Sequence, residues 1–214
     1  MGNGMVDEAL RLKGIYLAFD NGSPLFEDFN LKVLKGEHVV INGPSGSGKT
    51  TLLKLCLGFI VPDEGQIFID GIPLNEKTVW TLRLKIGYCP QEPILGDGTV
   101  EDFLKRPFSY KANKKNTYSK EEVIELLSLL GLDQNVLKRH VSALSGGEKQ
   151  RICIVSALLL RRDIYFFDEP TSALDLESKK KVLKLFSRLS EKTIIYVSHD
   201  PEVLDSAQRV ISLP

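Results

Sequence analysis

Cysteine is scarce in this chain. Only three of the 214 residues are cysteines, at positions 56, 89 and 153, and no two of them form a Cys-x-x-Cys motif. The odd count and the wide spacing argue against a disulfide framework and against a zinc site. We therefore expect three buried thiols in a reducing compartment.

Long apolar segments are also missing. No run approaches the roughly 20 residues that cross a bilayer as a helix. The first eight residues lack the basic and apolar regions of a signal peptide, and Val6 stands where a myristoylation motif requires Ser or Thr. We expect a cytosolic protein, so any role at a membrane would need a partner chain.

Excess charge of either sign is absent, because 28 basic residues balance 28 acidic ones. A broad electrostatic surface for nucleic acid is therefore not implied, and no nucleic-acid partner is predicted. Apolar residues make up 43% of the chain and charged residues 26%, which favours a folded chain over a disordered one. The length of 214 residues suits one sizeable domain with its own core.

The hydrophobic pattern of the first part predicts strands, turns and one helix. Two strands, at 15–19 and 25–34, are separated by the turn-forming residues 21–24. A continuous apolar run at 38–42 predicts a buried strand that enters a glycine-rich loop. The residues that follow this loop, 49–57, are typical of a helix.

The middle of the chain changes character. A strand predicted at 67–69 ends at an Asp-Gly turn. The polar, lysine-rich stretch 105–120 is predicted to be an exposed connection. Ser119 and Glu122 then form the pattern of a capping box before apolar residues at helical spacing, and Gly131 is placed to end that helix.

Strands and helices alternate in the last third. After a helix at 146–160, the pattern predicts a strand at 164–168, a helix at 176–190 and a strand at 193–198, followed by a short helix and a final strand near Val210. Alternation of this kind indicates a mainly parallel sheet. We therefore predict an α/β fold with a largely helical insertion in the middle.

The glycine-rich loop after residues 38–42 matches the pattern GxxxxGK[ST]. Its glycines let backbone N–H groups point inward, and the following helix adds partial positive charge at its N-terminus, so the loop can bind phosphate. Lys49 can bridge β- and γ-phosphate oxygens, and the Thr50 hydroxyl can bind Mg²⁺. A glycine-rich turn without a ligand is the alternative, which the strand–loop–helix context disfavours. The nucleotide-binding residues predicted here are Gly43, Pro44, Ser45, Gly46, Ser47, Gly48, Lys49, Thr50 and Thr51.

The apolar strand at 164–168 ends in Asp168 and is followed by Glu169. Ligands of open α/β sheets bind at the carboxyl ends of strands. Asp168 is placed to hold Mg²⁺, directly or through water, and Glu169 to polarise the attacking water as a general base. A solvated acidic pair is the alternative, and the phosphate-binding loop earlier in the chain argues against it.

A second motif combines a helix cap with two glycines. Ser145 can cap the predicted helix, and Gly146 and Gly147 leave backbone N–H groups free at its start, which makes a second potential anion site. The whole octet LSGGEKQR at 144–151, after a phosphate-binding loop, resembles the signature motif of the ABC ATPase family. Glu148 stands where glutamine is common in that family.

Further positions fit the same family. Gln91 resembles the glutamine of the Q-loop, the segment SALD at 172–175 resembles the D-loop, and His199 resembles the switch histidine. Phe19 lies where the family places an aromatic ring that stacks on adenine, with Tyr16 as the alternative. Each of these residues also has an ordinary structural interpretation as a turn, cap, loop or core residue.

The resemblance covers nearly the whole chain and implies the fold of an ABC-type P-loop NTPase. That fold has a mainly parallel core sheet, an N-terminal antiparallel β part and a helical subdomain between Q-loop and signature. It implies one domain over 1–214, with a catalytic core at 1–91 and 161–214 and a helical subdomain at about 92–160. The implied catalytic residues are Glu169, His199 and Lys49, the implied metal ligands are Thr50, Gln91 and Asp168, and the implied nucleotide contacts outside the P-loop are Phe19, Gln91, Ser145, Gly146, Gly147 and Glu148.

The resemblance also implies a shared active site. In this family two such domains close head to tail around two ATP molecules, with the P-loop of one facing the signature of the other. ATP and Mg²⁺ are the implied cofactors, an ATP-induced homodimer is the implied assembly, and hydrolysis would open it. In a transporter, an integral membrane permease would dock near Gln91, and the chain would be peripheral on the inner face of the cell membrane.

Three classes of ABC ATPase compete: the energising subunit of a transporter, a soluble ATPase of iron–sulfur cluster assembly, and a DNA-repair or ribosome-associated ATPase. Lys49 and Ser145 are 96 positions apart (145 − 49) with no sustained heptads, unlike the coiled-coil repair ATPases. Ribosome-associated members usually carry two ATPase domains, and the iron–sulfur ATPase typically lacks an intact LSGG. The transporter interpretation therefore leads. The sequences YCPQ at 88–91 and TVED at 99–102 resemble ATPases assigned to iron export, although phosphate and amino-acid importers share much of this pattern.

Overall fold

The computed structural model describes residues 7–19 and 22–213. These residues form two sheets, seven α-helices and three short 3₁₀ turns. The strands are β1 (Glu8–Leu17), β2 (Phe26–Leu34), β3 (His38–Asn42), β4 (Glu64–Ile69), β5 (Ile72–Pro73), β6 (Ile86–Cys89), β7 (Ile164–Asp168), β8 (Thr193–Val197) and β9 (Arg209–Ser212). The helices are α1 (Lys49–Cys56), α2 (Val79–Arg83), α3 (Val100–Ser109), α4 (Lys120–Leu129), α5 (Gly146–Leu159), α6 (Leu176–Ser187) and α7 (Pro201–Ser206).

The larger sheet has five parallel strands in the order β6-β7-β8-β3-β9. Strand β7 lies inside this sheet, between β6 and β8, and is buried along its whole length. Alternate residues of β7 face opposite cores: Phe166 belongs to one apolar cluster and Phe167 to the other. A strand covered on both faces must be apolar throughout, which explains the unbroken run from which this strand was predicted.

The smaller sheet is antiparallel, in the order β2-β1-β4-β5. Strand β1 begins at Glu8 and ends at Leu17, so the strand predicted at 15–19 overlaps only its last three residues and extends two residues too far. The register of β1 against β2 shifts between Leu12 and Ile15, around Gly14 with φ of 58°. This irregularity interrupts the alternation of apolar and polar residues, and the first half of the strand therefore escaped the pattern.

The prediction of an exposed connection at 105–120 was wrong in its first part, because α3 continues through Ser109. Thr99 starts this helix: its hydroxyl accepts a hydrogen bond from the N–H of Asp102 at 3.2 Å, and the Asp102 carboxylate accepts one from the N–H of Thr99 at 3.0 Å. Leu104 is fully buried while its basic neighbours are exposed. The helix is amphipathic, and its exposed basic residues, Lys105 and Arg106, concealed it.

The capping box predicted at Ser119 forms only in part. The Ser119 hydroxyl accepts a hydrogen bond from the N–H of Glu122 at 3.1 Å, as a helix cap requires. The Glu122 carboxylate does not return to Ser119 and pairs with Arg161 instead, at 3.3 Å between Nε and Oε1. The cap is confirmed, and its reciprocal bond is replaced by an ion pair to the end of α5.

The helices of the middle segment share one apolar cluster with the parallel sheet, through Leu104 of α3, Leu127 of α4, Ile154 of α5 and Phe167 of β7. The architecture that the resemblance implies, a mainly parallel core sheet with an N-terminal antiparallel β part and inserted helices, is confirmed. The division into a core at 1–91 and 161–214 and a subdomain at about 92–160 stays a prediction. The three cysteines are buried and unpaired, as expected. No helix of the described residues is long and apolar enough to cross a bilayer.

Candidate functional site

A cavity of about 750 Å³ opens where four neighbouring parallel strands, β3, β6, β7 and β8, end. The chain leaves these strands through Gly43, Gln91, Glu169 and His199, and all four residues line the cavity. The carboxyl edge of a parallel sheet is the expected place for a ligand. The full lining is Phe19, Leu25, Gly43, Pro44, Ser45, Gly46, Gly48, Lys49, Thr50, Thr51, Gln91, Glu169 and His199.

The start of α1 forms the floor of this cavity. Gly48 occupies the N-cap position with φ of 89°, and a Cβ atom there would approach Leu25 to 2.9 Å, so glycine is required. No side chain caps α1, and its first turn carries no acidic residue. The free N–H groups and the positive end of the helix dipole therefore face the cavity, which suits an anionic ligand.

The ammonium group of Lys49 is held over the loop. It donates hydrogen bonds to the carbonyl oxygens of Gly43 at 2.8 Å and Pro44 at 2.7 Å, and the side chain is buried. Ser47 does not line the cavity, and its buried hydroxyl has no hydrogen-bond partner among the described residues. A lone buried donor beside a positively charged loop fits a phosphate-binding site.

Asp168 lies behind the loop, at the end of β7. The Thr50 hydroxyl donates a hydrogen bond to its Oδ1 atom at 3.1 Å, and Asp168 is only 1% exposed. Burial raises the pKa of this carboxyl above its ordinary value; the Thr50 hydrogen bond opposes the shift and the charge of Glu169 adds to it. A cation at these oxygens would offset the cost of the buried charge.

The oxygens of Thr50 and Asp168 fit Mg²⁺, which prefers hard oxygen ligands and takes few of them from the protein when phosphates are present. No group of three or more His, Cys, Asp or Glu residues that could hold a metal occurs in the described part of the chain. These two protein oxygens are too few for an octahedral ion, so phosphate and water oxygens would supply the others.

The carboxylate of Glu169, which follows β7, contacts side chains that follow two other strands. Gln91, after β6, donates a hydrogen bond from Nε2 to Oε2 of Glu169 at 3.1 Å, and Nδ1 of His199, after β8, lies 3.6 Å from Oε1. The backbone of Glu169 has φ of 46°, which is rare outside glycine, and its N–H donates to the carbonyl oxygen of Val197 at 3.1 Å. Strained backbone of this kind concentrates at functional sites.

The signature residues do not reach this cavity. Ser145 caps α5 in a full capping box with Glu148, and a Cβ atom on Gly147 would lie 2.8 Å from the carbonyl oxygen of Ala173. The start of α5 therefore packs against the predicted D-loop, where Asp175 caps α6 by accepting a hydrogen bond from the N–H of Ser178 at 2.8 Å. Within one chain the structure does not bring the four signature residues, Ser145, Gly146, Gly147 and Glu148, to the nucleotide cavity.

The two aromatic residues that could stack on adenine differ in their position relative to the cavity. Phe19 lines the cavity and is 53% exposed, while Tyr16 is half-buried in β1 and does not line it. Leu25 was missed by the sequence analysis although it lines the cavity. The sequence pattern placed it only at the start of the predicted strand 25–34, and its contact with Gly48 in three dimensions is what brings it to the cavity.

A parallel sheet with a phosphate-binding loop, an acidic strand end and a signature helix defines an ABC-type ATPase. The family described as ABC transporter matches residues 26–172. The energy-coupling factor transporter ATP-binding protein EcfA1 of Mycoplasma mobile is 36% identical over 95% of this chain and 76% of that protein. The lactococcin-A transport/processing ATP-binding protein LcnC of Lactococcus lactis is 35% identical over 94% of this chain and 29% of that protein.

The fold of a solved relative agrees over nearly its whole length. The dimeric post-hydrolysis state of the ATP-binding cassette MJ0796, bound to ADP and Pi, has a TM-score of 0.83 and 31% identity, and the match covers 95% of this chain and 94% of that one. The chain therefore belongs to the ABC transporter family and is an ATP-binding, ATP-hydrolysing subunit of it. The roles of its individual site residues stay predictions.

Proposed function

We propose that this chain works as a head-to-tail homodimer that uses ATP and Mg²⁺ to energise a separate membrane permease. The observation that carries the proposal is the convergence of Gln91, Glu169 and His199 beside the phosphate-binding loop. A base and two polar groups that orient it, next to a bound γ-phosphate, form the arrangement that hydrolysis needs.

Each residue of the cavity has a proposed step. Lys49 exchanges its two carbonyl partners for β- and γ-phosphate oxygens, while the N–H groups at the start of α1 bind the same phosphates. Thr50, Asp168 and Gln91 would hold Mg²⁺, which would neutralise phosphate charge. Glu169 accepts a proton from the attacking water, Gln91 orients that carboxylate, and His199 contacts the γ-phosphate.

The separation of the signature residues from the nucleotide cavity of their own chain supports the dimer. Ser145, Gly146 and Gly147 lie outside the cavity of their own chain, although they start a 14-residue helix with free N–H groups. A second chain in head-to-tail orientation would bring this helix to the γ-phosphate. The dimeric state reported for MJ0796 with ADP and Pi supports such an assembly. In this proposal the helical subdomain at about 92–160 carries the signature towards the partner's core.

An exposed apolar surface supports a permease partner. Phe59 and Trp80 are 59% and 72% exposed, and the Arg83 guanidinium lies 4.3 Å and 5.0 Å from the centres of their rings. Ile94, three residues after Gln91, is 91% exposed. Exposed aromatic rings around an arginine are typical of protein interfaces. We place the permease contact here, with the chain in the cytoplasm at the inner face of the membrane.

The most specific part of the proposal is the substrate that the transporter moves. The short sequences at 88–91 and 99–102 support metal (iron) export. Relatives named for energy-coupling factor transport and for lactococcin transport match the chain almost equally well, at 36% and 35% identity. We infer that the permease, and not this chain, selects the cargo.

The test is capture of the partner. The tagged chain, purified from detergent-solubilised membranes of its own cells, should bring down a multi-span membrane protein. Trp80→Glu should lose that protein while it still binds ATP, and Tyr110→Ala, which removes another exposed aromatic ring, should keep it. Recovery of iron–sulfur assembly scaffold proteins instead would favour the soluble assembly ATPase and overturn the transporter role.

A further inference from the structure

An arginine outside the signature motif reaches into it. The Arg139 guanidinium donates hydrogen bonds to both carboxylate oxygens of Glu148, at 2.5 Å from Nη1 and 3.4 Å from Nη2. Its Nη2 atom also donates to the carbonyl oxygen of Ala143 at 2.6 Å. A planar guanidinium in this two-pronged contact fixes both the position and the orientation of the carboxylate.

The same carboxylate holds the start of α5. Oε2 of Glu148 accepts a hydrogen bond from the N–H of Ser145 at 2.8 Å, and the Ser145 hydroxyl accepts one from the N–H of Glu148 at 3.2 Å. Burial alone would raise the pKa of Glu148, but the Ser145 N–H and the Arg139 guanidinium outweigh burial and lower it. Glu148 is therefore a stable anion in the first turn of the helix.

The position of Arg139 is itself fixed by a neighbouring element. The N–H of Val100, at the start of α3, donates to the carbonyl oxygen of Arg139 at 3.0 Å, and the N–H of Val141 donates to the carbonyl oxygen of Gly98 at 3.0 Å. These two bonds hold the chain on both sides of His140 against the beginning of α3. The backbone of Arg139 is thus held in place, and its side chain binds the signature segment through Glu148 and Ala143.

The negative charge of Glu148 opposes the binding of an anion at the start of α5, and Arg139 offsets that charge. A carboxylate in the first turn stabilises its own helix, but it repels any other anion that approaches the same N–H groups. Arg139 offsets this negative charge and keeps the carboxylate turned towards Ser145. Without the guanidinium, the start of α5 would present an uncompensated charge to an incoming phosphate.

We propose that Arg139 is a positioning residue of the shared active site, which neutralises and orients Glu148 so that the start of α5 can bind the γ-phosphate of ATP held by a second copy of this chain. The inference rests on the proposed head-to-tail dimer. It assigns no contact between Arg139 and the nucleotide: the residue acts through Glu148 and the signature backbone.

The test uses Glu169→Gln as background, because slow hydrolysis should preserve the ATP-bound dimer. The dimer dissociation constant is measured by light scattering over a range of protein concentrations with saturating ATP. Adding Arg139→Ala should weaken the dimer about tenfold, because the uncompensated charge of Glu148 would repel the phosphate at the start of α5. ATP affinity of the isolated chain, measured below the concentration at which it dimerises, should not change.

Removing the charge of Glu148 should make Arg139 dispensable. Glu148→Gln keeps the capping box, since glutamine serves at that helix position as well as glutamate. The double variant Arg139→Ala, Glu148→Gln should therefore recover most of the lost dimer affinity, a coupling that general loss of structure would not produce. Arg139→Lys, which keeps the charge without the fork, should give an intermediate loss.

A matched control lies at the other end of α5. Arg161 forms a similar two-pronged pair with Glu122, at 2.5 Å and 3.3 Å, far along the helix from the signature. Arg161→Ala should leave dimer affinity unchanged. Equal dimer affinity with and without Arg139→Ala, or no recovery in the double variant, would overturn the inference alone. A Glu169→Gln protein that stays monomeric with ATP would overturn the proposed dimer and the inference with it.

Discussion

The side-chain amide of Gln91 donates a 3.1 Å hydrogen bond to the carboxylate of Glu169, and so connects the end of β6 to the end of β7. One carboxylate oxygen is engaged by this bond, and the other lies 3.6 Å from His199. An oriented carboxylate beside a phosphate-binding loop is suited to accept a proton from water. This relationship supports the proposal that Glu169 is the catalytic base and that other residues bind phosphate and metal.

Glu169→Gln should therefore separate binding from hydrolysis. The amide has nearly the same shape as the carboxylate but cannot act as a base, so kcat should fall about 10²- to 10⁴-fold, the usual contribution of general-base catalysis. ATP affinity should stay near that of the wild type, and an ATP-bound dimer should accumulate. Phosphate release and equilibrium ATP binding measure the two effects independently. A wild-type kcat in this variant would remove Glu169 from the base role.

Lys49→Ala should instead weaken the binding of ATP. The substitution removes the one ammonium group that the loop holds over Gly43 and Pro44. A charge-assisted contact to phosphate is worth about 1.5–3 kcal/mol, so affinity for ATP should fall by at least tenfold. Calorimetric titration with Mg-ATP measures the loss. Lys192→Ala, which removes a lysine paired with Asp163 away from the cavity, is the control; wild-type ATP binding by Lys49→Ala would contradict the role of the loop.

Much of the fold and of the nucleotide site could be predicted from the sequence, because each part requires particular residue types within one short segment. Residues 164–167 of strand β7 form a hydrophobic run because both faces of the strand are buried. The phosphate-binding loop needs glycine at Gly48 because a Cβ atom there would collide with Leu25. Such requirements leave a continuous pattern in the sequence.

Features that depend on distant contacts left no such pattern. Helix α3 looked like a polar connection because only a narrow face, including Leu104, is buried. The support that Arg139 gives to Glu148 joins residues nine positions apart across a turn, and neither residue suggests the other. The partner of Glu122 is Arg161, 39 positions away, which is why the predicted capping box was only half formed.

Asp168→Asn should raise the thermal stability of the protein and weaken its binding of Mg-ATP. Burial raises the pKa of Asp168, so protonation favours the folded state. The stabilising contribution of the neutral carboxyl is complete below the ordinary aspartate pKa of about 3.9 and is lost as pH rises through the raised value. At neutral pH the wild type therefore carries a buried charge that asparagine lacks.

We expect the Tm of Asp168→Asn at pH 7, without nucleotide, to exceed that of the wild type. The difference should vanish on acidification towards pH 4. Binding of Mg-ATP should weaken, because an amide oxygen is a poorer metal ligand than a carboxylate. Asp163→Asn, on an exposed aspartate, should not raise the Tm. A lower Tm for Asp168→Asn would show that its hydrogen bond with Thr50 outweighs the buried charge.

The adenine site distinguishes Phe19 from Tyr16. Phe19 lines the cavity with its ring half-exposed, and Tyr16 lies in β1 outside that lining. Stacking of a base on an aromatic ring is worth about 1–3 kcal/mol, so Phe19→Ala should lower affinity for ATP roughly 5- to 150-fold. Phe19→Tyr should retain affinity because it keeps the ring.

The same titration with inorganic triphosphate separates stacking from phosphate binding. Phe19→Ala should bind triphosphate as the wild type does, because the loop and Lys49 are untouched. Tyr16→Ala should leave ATP affinity unchanged, since Tyr16 does not line the cavity. If Tyr16→Ala weakens ATP binding while Phe19→Ala does not, adenine stacks on β1 and the ring of Phe19 only borders the phosphate site.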